Sequence, residues 1–224
     1  MDKIVENYFN LQVMAEAFPT VLGGFGLTVL VSILVIILGI GVGLGFAVLH
    51  CMNSRALSAA IVVYVDLFRT LPQLVVIIFV YFGLPYAGLA LSPFATTVVA
   101  LALVLSAFAT EIFHSAIRAV PRGQWEASEA LGFTYFRALF LIVLPQAIRL
   151  AIPLLTNRAI AISKGTALGT AVALPETLGQ AQSVMAIVAN PSPLTLAAAF
   201  YLTFFIPLVI ASRWVERKFS PRSR

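Results

Sequence analysis

Residues 17–54 read AFPTVLGGFGLTVLVSILVIILGIGVGLGFAVLHCMNS and contain no Asp, Glu, Lys or Arg. As a helix such a run is longer than the roughly 30 Å hydrocarbon core of a bilayer needs, and it lacks the in-out alternation of a transmembrane barrel strand. Outward from it, two more intervals are free of charge, Thr70 to Ala109 and Thr177 to Ser212. With 61% hydrophobic and 10% charged residues, the chain is expected to be an all-α integral membrane protein.

The segment ahead of the first run carries Asp2, Lys3, Glu6 and Glu16, which is net acidic and unlike the basic leader of a signal peptide. The run is therefore expected to remain as an anchor. Hydropathy and the Pro- and Gly-containing breaks GLPYAGLALSP (83–93) and NPSP (190–193) predict five helices, at about 22–49, 58–83, 94–119, 147–170 and 194–213. Gly39, Gly41, Gly43 and Gly45 put small residues at four-residue spacing on the first, a pattern that lets a neighbouring helix approach closely.

Basic residues mark the cytoplasmic side of a membrane protein. Arg55, then Arg118, Arg122 and Arg137, then Arg213, Arg217, Lys218, Arg222 and Arg224 all fall on one side of the predicted spans. The other side holds Lys3 with Asp2, Glu6, Glu16 and Glu176, which predicts an outside N-terminus and a cytoplasmic C-terminus. The net charge of +5 then reflects topology and anionic lipid, with no nucleic acid implied. A lone Cys51 with His50 and His114 offers no metal-ligand spacing, no catalytic cluster is visible, and no G-x-x-x-x-G-K-[ST] phosphate loop occurs.

The longest cytoplasmic stretch, PRGQWEASEALGFTYFRALFLIVLP (121–145), is the most polar part of the interior. Pro121 and Gly123 stop the preceding helix, Gln124 to Leu131 favours a short exposed helix, and Gly132 supplies its C-terminal cap. Ala127, Ser128 and Ala130 give that helix a face of little bulk, with Trp125 and Leu131 as apolar anchors for a partner's pocket. Glu126-Ala127-Ser128, three residues, Gly132, nine residues, Ile142, one residue, Leu144-Pro145 resembles the EAA loop of type I ABC importer permeases. Ser128 replaces the usual second Ala.

Thr28 in GFGLTVLVS, Phe68-Arg69-Thr70-Leu71-Pro72, Tyr81-Phe82-Gly83, Glu111-Ile112-Phe113, Pro121 to Gln124, Leu144-Pro145-Gln146-Ala147 and Lys164-Gly165-Thr166-Ala167-Leu168 resemble the polar amino acid uptake branch of that family. The branch includes the histidine, glutamine and arginine systems. Two departures stand out: His114 where the family usually has Arg, and K-G-T-A-L where it usually has K-D-T-S-L.

The resemblance implies the type I importer transmembrane fold over residues 21–214, an extracytoplasmic segment at 1–20, a coupling loop at 121–145 and a basic tail at 215–224. It implies a bacterial inner-membrane permease working with a second identical or homologous permease, two cytoplasmic ATP-binding subunits and an extracytoplasmic substrate-binding protein. ATP and Mg then belong to the partner ATPase, and this chain holds no cofactor. Gln124, Trp125, Glu126, Ala127, Ser128 and Gly132 are the expected coupling residues. A secondary transporter or channel is the rival reading.

Charges inside the spans need a partner or a wet cavity. Asp66 and Arg69 are three apart near the cytoplasmic start of their helix, which suits an intrahelical pair or interfacial snorkelling, with a gating role second. Glu111 and Arg118 share a face, and both pathway lining and pairing across a dimer are open for Glu111. By resemblance Asn157, Lys164 and Thr166 border the substrate path, with Lys164 the cation for a solute carboxylate; a reach to the outer interface or a pair with Glu176 is the alternative for it. Gly165 in place of Asp points away from cationic amino acids and toward neutral or acidic ones.

Overall fold

The computed structural model describes residues 2–52 and 54–219, and every regular element among them is helical. Arg222 and Arg224 lie outside the described residues. Helix α1 (Asp2–Tyr8) is short, and α2 runs without a break from Leu11 to His50. Asn10 starts α2 by accepting from the Gln12 and Val13 N–H groups, so residues 11–20, expected to precede the first span, already belong to it.

Helix α2 is apolar all round, so hydrophobicity alone does not choose its packed face. Size does: Ala17, Val21, Gly24, Thr28, Val31, Ser32, Val35, Gly39, Gly43 and Ala47 are buried, while Leu30, Ile33, Ile37 and Leu38 point outward. Its main neighbour is α5 (Pro93–Ala119), capped by Ser92 and started by Pro93. A Cβ on Gly39 would lie 2.7 Å from Leu105, and one on Gly43 2.5 Å from the Ala109 methyl and 2.8 Å from the Ser106 carbonyl. Gly41 and Gly45 meet nothing, so half of the glycine pattern makes the contact. Helix α5 is the centre of the bundle, touched by α2, by α3 (Arg55–Thr70) and by α8 (Leu144–Ser163).

The helix expected at 58–83 is broken. Helix α3 stops at Thr70, the chain turns through 109°, and α4 (Gln73–Ile78) continues through a π turn and a 3-10 turn to Ala87. Leu71, placed before Pro72, is extended at φ −73°, ψ 135°, because the proline ring disfavours helical geometry in the preceding residue.

Another difference lies at residues 121–145, expected to be a cytoplasmic segment holding one short helix at Gln124 to Leu131. Helix α6 covers Arg122–Ala130, but from Tyr135 the chain is already in the next span, through α7 (Tyr135–Ala138) and a π turn at Leu139–Val143 into α8. Pro145 has no N–H for the carbonyl four residues back, and the widened turn accommodates it without ending the helix. At the far end the expected helix tightens into a 3-10 segment, Lys164–Val172. Helix α9 (Thr177–Val188), not expected from the sequence, precedes α10 (Ser192–Phe219). Among the described residues four helices are long and apolar enough to cross a membrane, and the bent α3–α4 pair makes five if it counts as one span.

Candidate functional site

One end of the bundle carries α6. It ends in two reciprocal hydrogen bonds, Gly132 N–H to the Glu129 carbonyl at 2.8 Å and Phe133 N–H to the Ser128 carbonyl at 3.0 Å, with Gly132 at φ +79°. This Schellman geometry needs a residue free to adopt the left-handed region. The helix is not isolated as expected. Trp125, expected to reach into a partner's pocket, is half-buried and stacks on Tyr135 with centroids 5.3 Å apart. Ser128 is buried and donates back to the Gln124 carbonyl, so it is no part of an exposed face. A short helix is marginal without tertiary contacts, and these residues supply them.

Gln124 is held as well, its side-chain oxygen accepting from Gln146 at 3.1 Å. What remains outward is Glu126, Ala127, Glu129, Ala130 and Leu131, the last 77% exposed. Tyr135 also donates to the Cys51 carbonyl at 3.0 Å, tying this unit to the end of α2. Beside it His114 stacks on His50, rings 4.1 Å apart.

The charges within the spans gather on α5. Arg69, expected to pair with Asp66 in its own helix, instead bonds Glu111 across the α3–α5 contact at 3.5 Å. The 109° break presents it there, at the last turn before Pro72. Its guanidinium carbon lies 5.5 Å from the centre of the Phe108 ring, and that of Arg158 on α8 lies 3.9 Å from the same ring. Neither Phe108 nor the α3 break is legible in the sequence as the setting of Arg158.

The remaining path residues separate from this cluster. Asn157 faces α10, where its oxygen accepts from Ser212 at 2.6 Å and its amide donates to Glu216. Lys164 is exposed, with Nζ 5.7 Å from the Phe205 ring on α10. Thr166 is fully buried, and its hydroxyl donates to the Ser163 carbonyl at 2.9 Å, which withdraws it from any solute. Gly165 is buried, and a Cβ there would fall 2.0 Å from the Gln73 side-chain oxygen, so the amide of α4 fills the space that a side chain at 165 would take.

Glu176 is neither an outer surface acid nor a partner of Lys164. It is fully buried, caps α9 by accepting from the Leu178 and Gly179 N–H groups, and accepts from Thr28 at 3.0 Å and Tyr201 at 2.5 Å. The carboxylate thus joins α2, α9 and α10.

A bundle of long apolar helices around α5, with a broken helix pair packed beside it, buried polar clusters and a capped short helix at one end, is the architecture of a membrane-embedded subunit. The chain belongs to the family described as binding-protein-dependent transport system inner membrane component, which matches residues 36–221. It is a permease subunit of the ABC importer type. It is 33% identical to the probable glutamine ABC transporter permease protein GlnM of Bacillus subtilis (strain 168), over 93% of this chain and 97% of that one. The probable amino-acid ABC transporter permease protein YckA of the same organism is 34% identical, over 80% and 79%. Among solved structures, an amino acid ABC transporter crystallised with histidines superposes with a TM-score of 0.83 at 27% identity, covering 92% of this chain and 96% of that one.

Proposed function

We propose that this chain forms, with a second identical or homologous permease, the translocation path of an ATP-driven importer for neutral or acidic amino acids in a bacterial inner membrane. The N-terminus is outside, the C-terminus is cytoplasmic, and α6 transmits closure of two ATP-binding subunits to the helices. ATP and Mg act in those subunits, and an extracytoplasmic binding protein delivers the solute. That the solute is an amino acid is supported by the relatives named above, and the neutral or acidic preference rests on Gly165 standing where the resembling family has Asp.

The observation that carries this reading is α6. It is firmly capped, anchored inward through Trp125 and Ser128, and leaves a small outward face at Ala127 and Ala130 at the end of the bundle where Arg55, Arg118, Arg122, Arg137, Arg217 and Lys218 collect. A helix fixed on one side and smooth on the other suits docking into a groove of a moving partner. In proteoliposomes containing the complete complex, Ala127→Arg should insert at the wild-type level yet lose both uptake and substrate-stimulated ATP hydrolysis. Wild-type stimulation in that variant rules out α6 as the coupling contact.

A further inference from the structure

Two guanidinium groups share the Phe108 ring, and among the described residues one carboxylate, Glu111, bonds one of them. Arg69 has that partner, whereas Arg158 has no ion pair or side-chain hydrogen bond among the described residues. Its place makes this costly. Arg158 sits inside the Tyr135–Val172 span, 14 residues before its end, which is at least about 21 Å of helix. An uncompensated charge at such depth needs an anion or a wet cavity.

The setting supplies a cavity. Arg158 borders an open pocket of about 250 Å³ with Ile112, Leu154, Asn157 and Ala161. Phe108 lies 3.9 Å from the guanidinium carbon and holds the group by its π face, which leaves the in-plane N–H donors available. Those donors match a carboxylate in geometry and charge. Lys164 is a poorer candidate for this part, since it lies against Phe205 on another helix face, apart from Glu111.

We propose that Arg158, pinned by Phe108, binds the carboxylate of the transported solute; Arg69 and Glu111 neutralise each other, so the one net positive charge of the empty cluster is that of Arg158. The site takes a neutral or acidic amino acid and repels a cationic one. This rests on the amino acid import reading above and names the residue that meets the solute.

The test uses the permease–ATPase complex in lipid nanodiscs without the binding protein, probed with radiolabelled glutamine and glutamate, alongside ATP-driven uptake by the complete complex in proteoliposomes. Replacing the carboxylate by its amide should weaken competition on the order of tenfold or more, the loss expected for a charge-assisted hydrogen bond. Arg158→Gln should weaken binding to the same degree, Arg158→Lys less, and Phe108→Leu should also weaken it. Equal competition by the amide, or wild-type binding by Arg158→Gln, overturns the site. If Arg158→Gln fails to assemble with the ATPases, unchanged affinity in both Arg158→Lys and Phe108→Leu overturns it. Failure of the wild-type complex to import any amino acid sinks the transport reading and this site together, whereas normal import with unchanged Arg158→Gln binding sinks the site alone.

Discussion

At the scale of single residues, Glu176 shows how a charge in an apolar chain can be part of the architecture. Two backbone N–H groups and two hydroxyls converge on one buried carboxylate, so its desolvation is offset by donors from α2, α9 and α10. Removing it orphans these donors, at about 1–3 kcal/mol for each that finds no water. Glu176→Ala should therefore lower the thermal midpoint of the purified complex by several degrees, while Glu176→Gln, which retains an acceptor for the α9 cap, should lower it less. Fluorescence-detected size-exclusion after heating measures this. An unshifted midpoint in Glu176→Ala contradicts the role. In the sequence Tyr201 is an ordinary polar residue in an apolar run and Thr28 only part of a family-like motif; the fold brings both to this acid.

At the scale of elements, the contact between α2 and α5 is set by absent side chains. Between lipid-facing helices there is no strong hydrophobic drive, and close packing of small residues takes its place. Gly43 approaches Ala109 and the Ser106 carbonyl, while Gly41, two residues away, faces open space. Gly43→Leu should force the helices apart and cut the yield of monodisperse protein severely, whereas Gly41→Leu should leave it near wild type. Similar yields for the two variants show that this approach is not what holds the bundle. The α3 break is a second element-scale feature: Pro72 ends a helix that hydropathy reads as continuous, and in doing so directs Arg69 to Glu111.

At the scale of the whole molecule, the ends of α2, α5 and α10 and all of α6 lie on one side, and the turn near Tyr86, which is 95% exposed, lies on the other. The proposed orientation predicts a labelling pattern. In a background with Cys51 replaced by Ser, Tyr86→Cys should react with an impermeant thiol reagent in intact cells, and Leu131→Cys only once the membrane is opened. The reverse result inverts the topology and removes α6 from the cytoplasm. It does not alter the helix packing.

The helical class, the long apolar helices and a short helix near Gln124 to Leu131 closed by Gly132 were legible from the sequence alone, because each depends on local quantities: apolar length and a glycine after a helix-forming run. The EAA-type spacing is likewise a property of consecutive residues. Only the tertiary structure decided which face of an all-apolar helix is packed, that Trp125 stacks on its own chain's Tyr135, that Thr166 is sealed in, and that Arg69 leaves Asp66 for Glu111. The physical reason is that hydropathy carries no direction in a helix that is greasy all round. Partners separated by tens of residues, such as Phe108 with Arg158 or Thr28 with Glu176, are joined by helix packing and by the break at Pro72, neither of which any local pattern encodes.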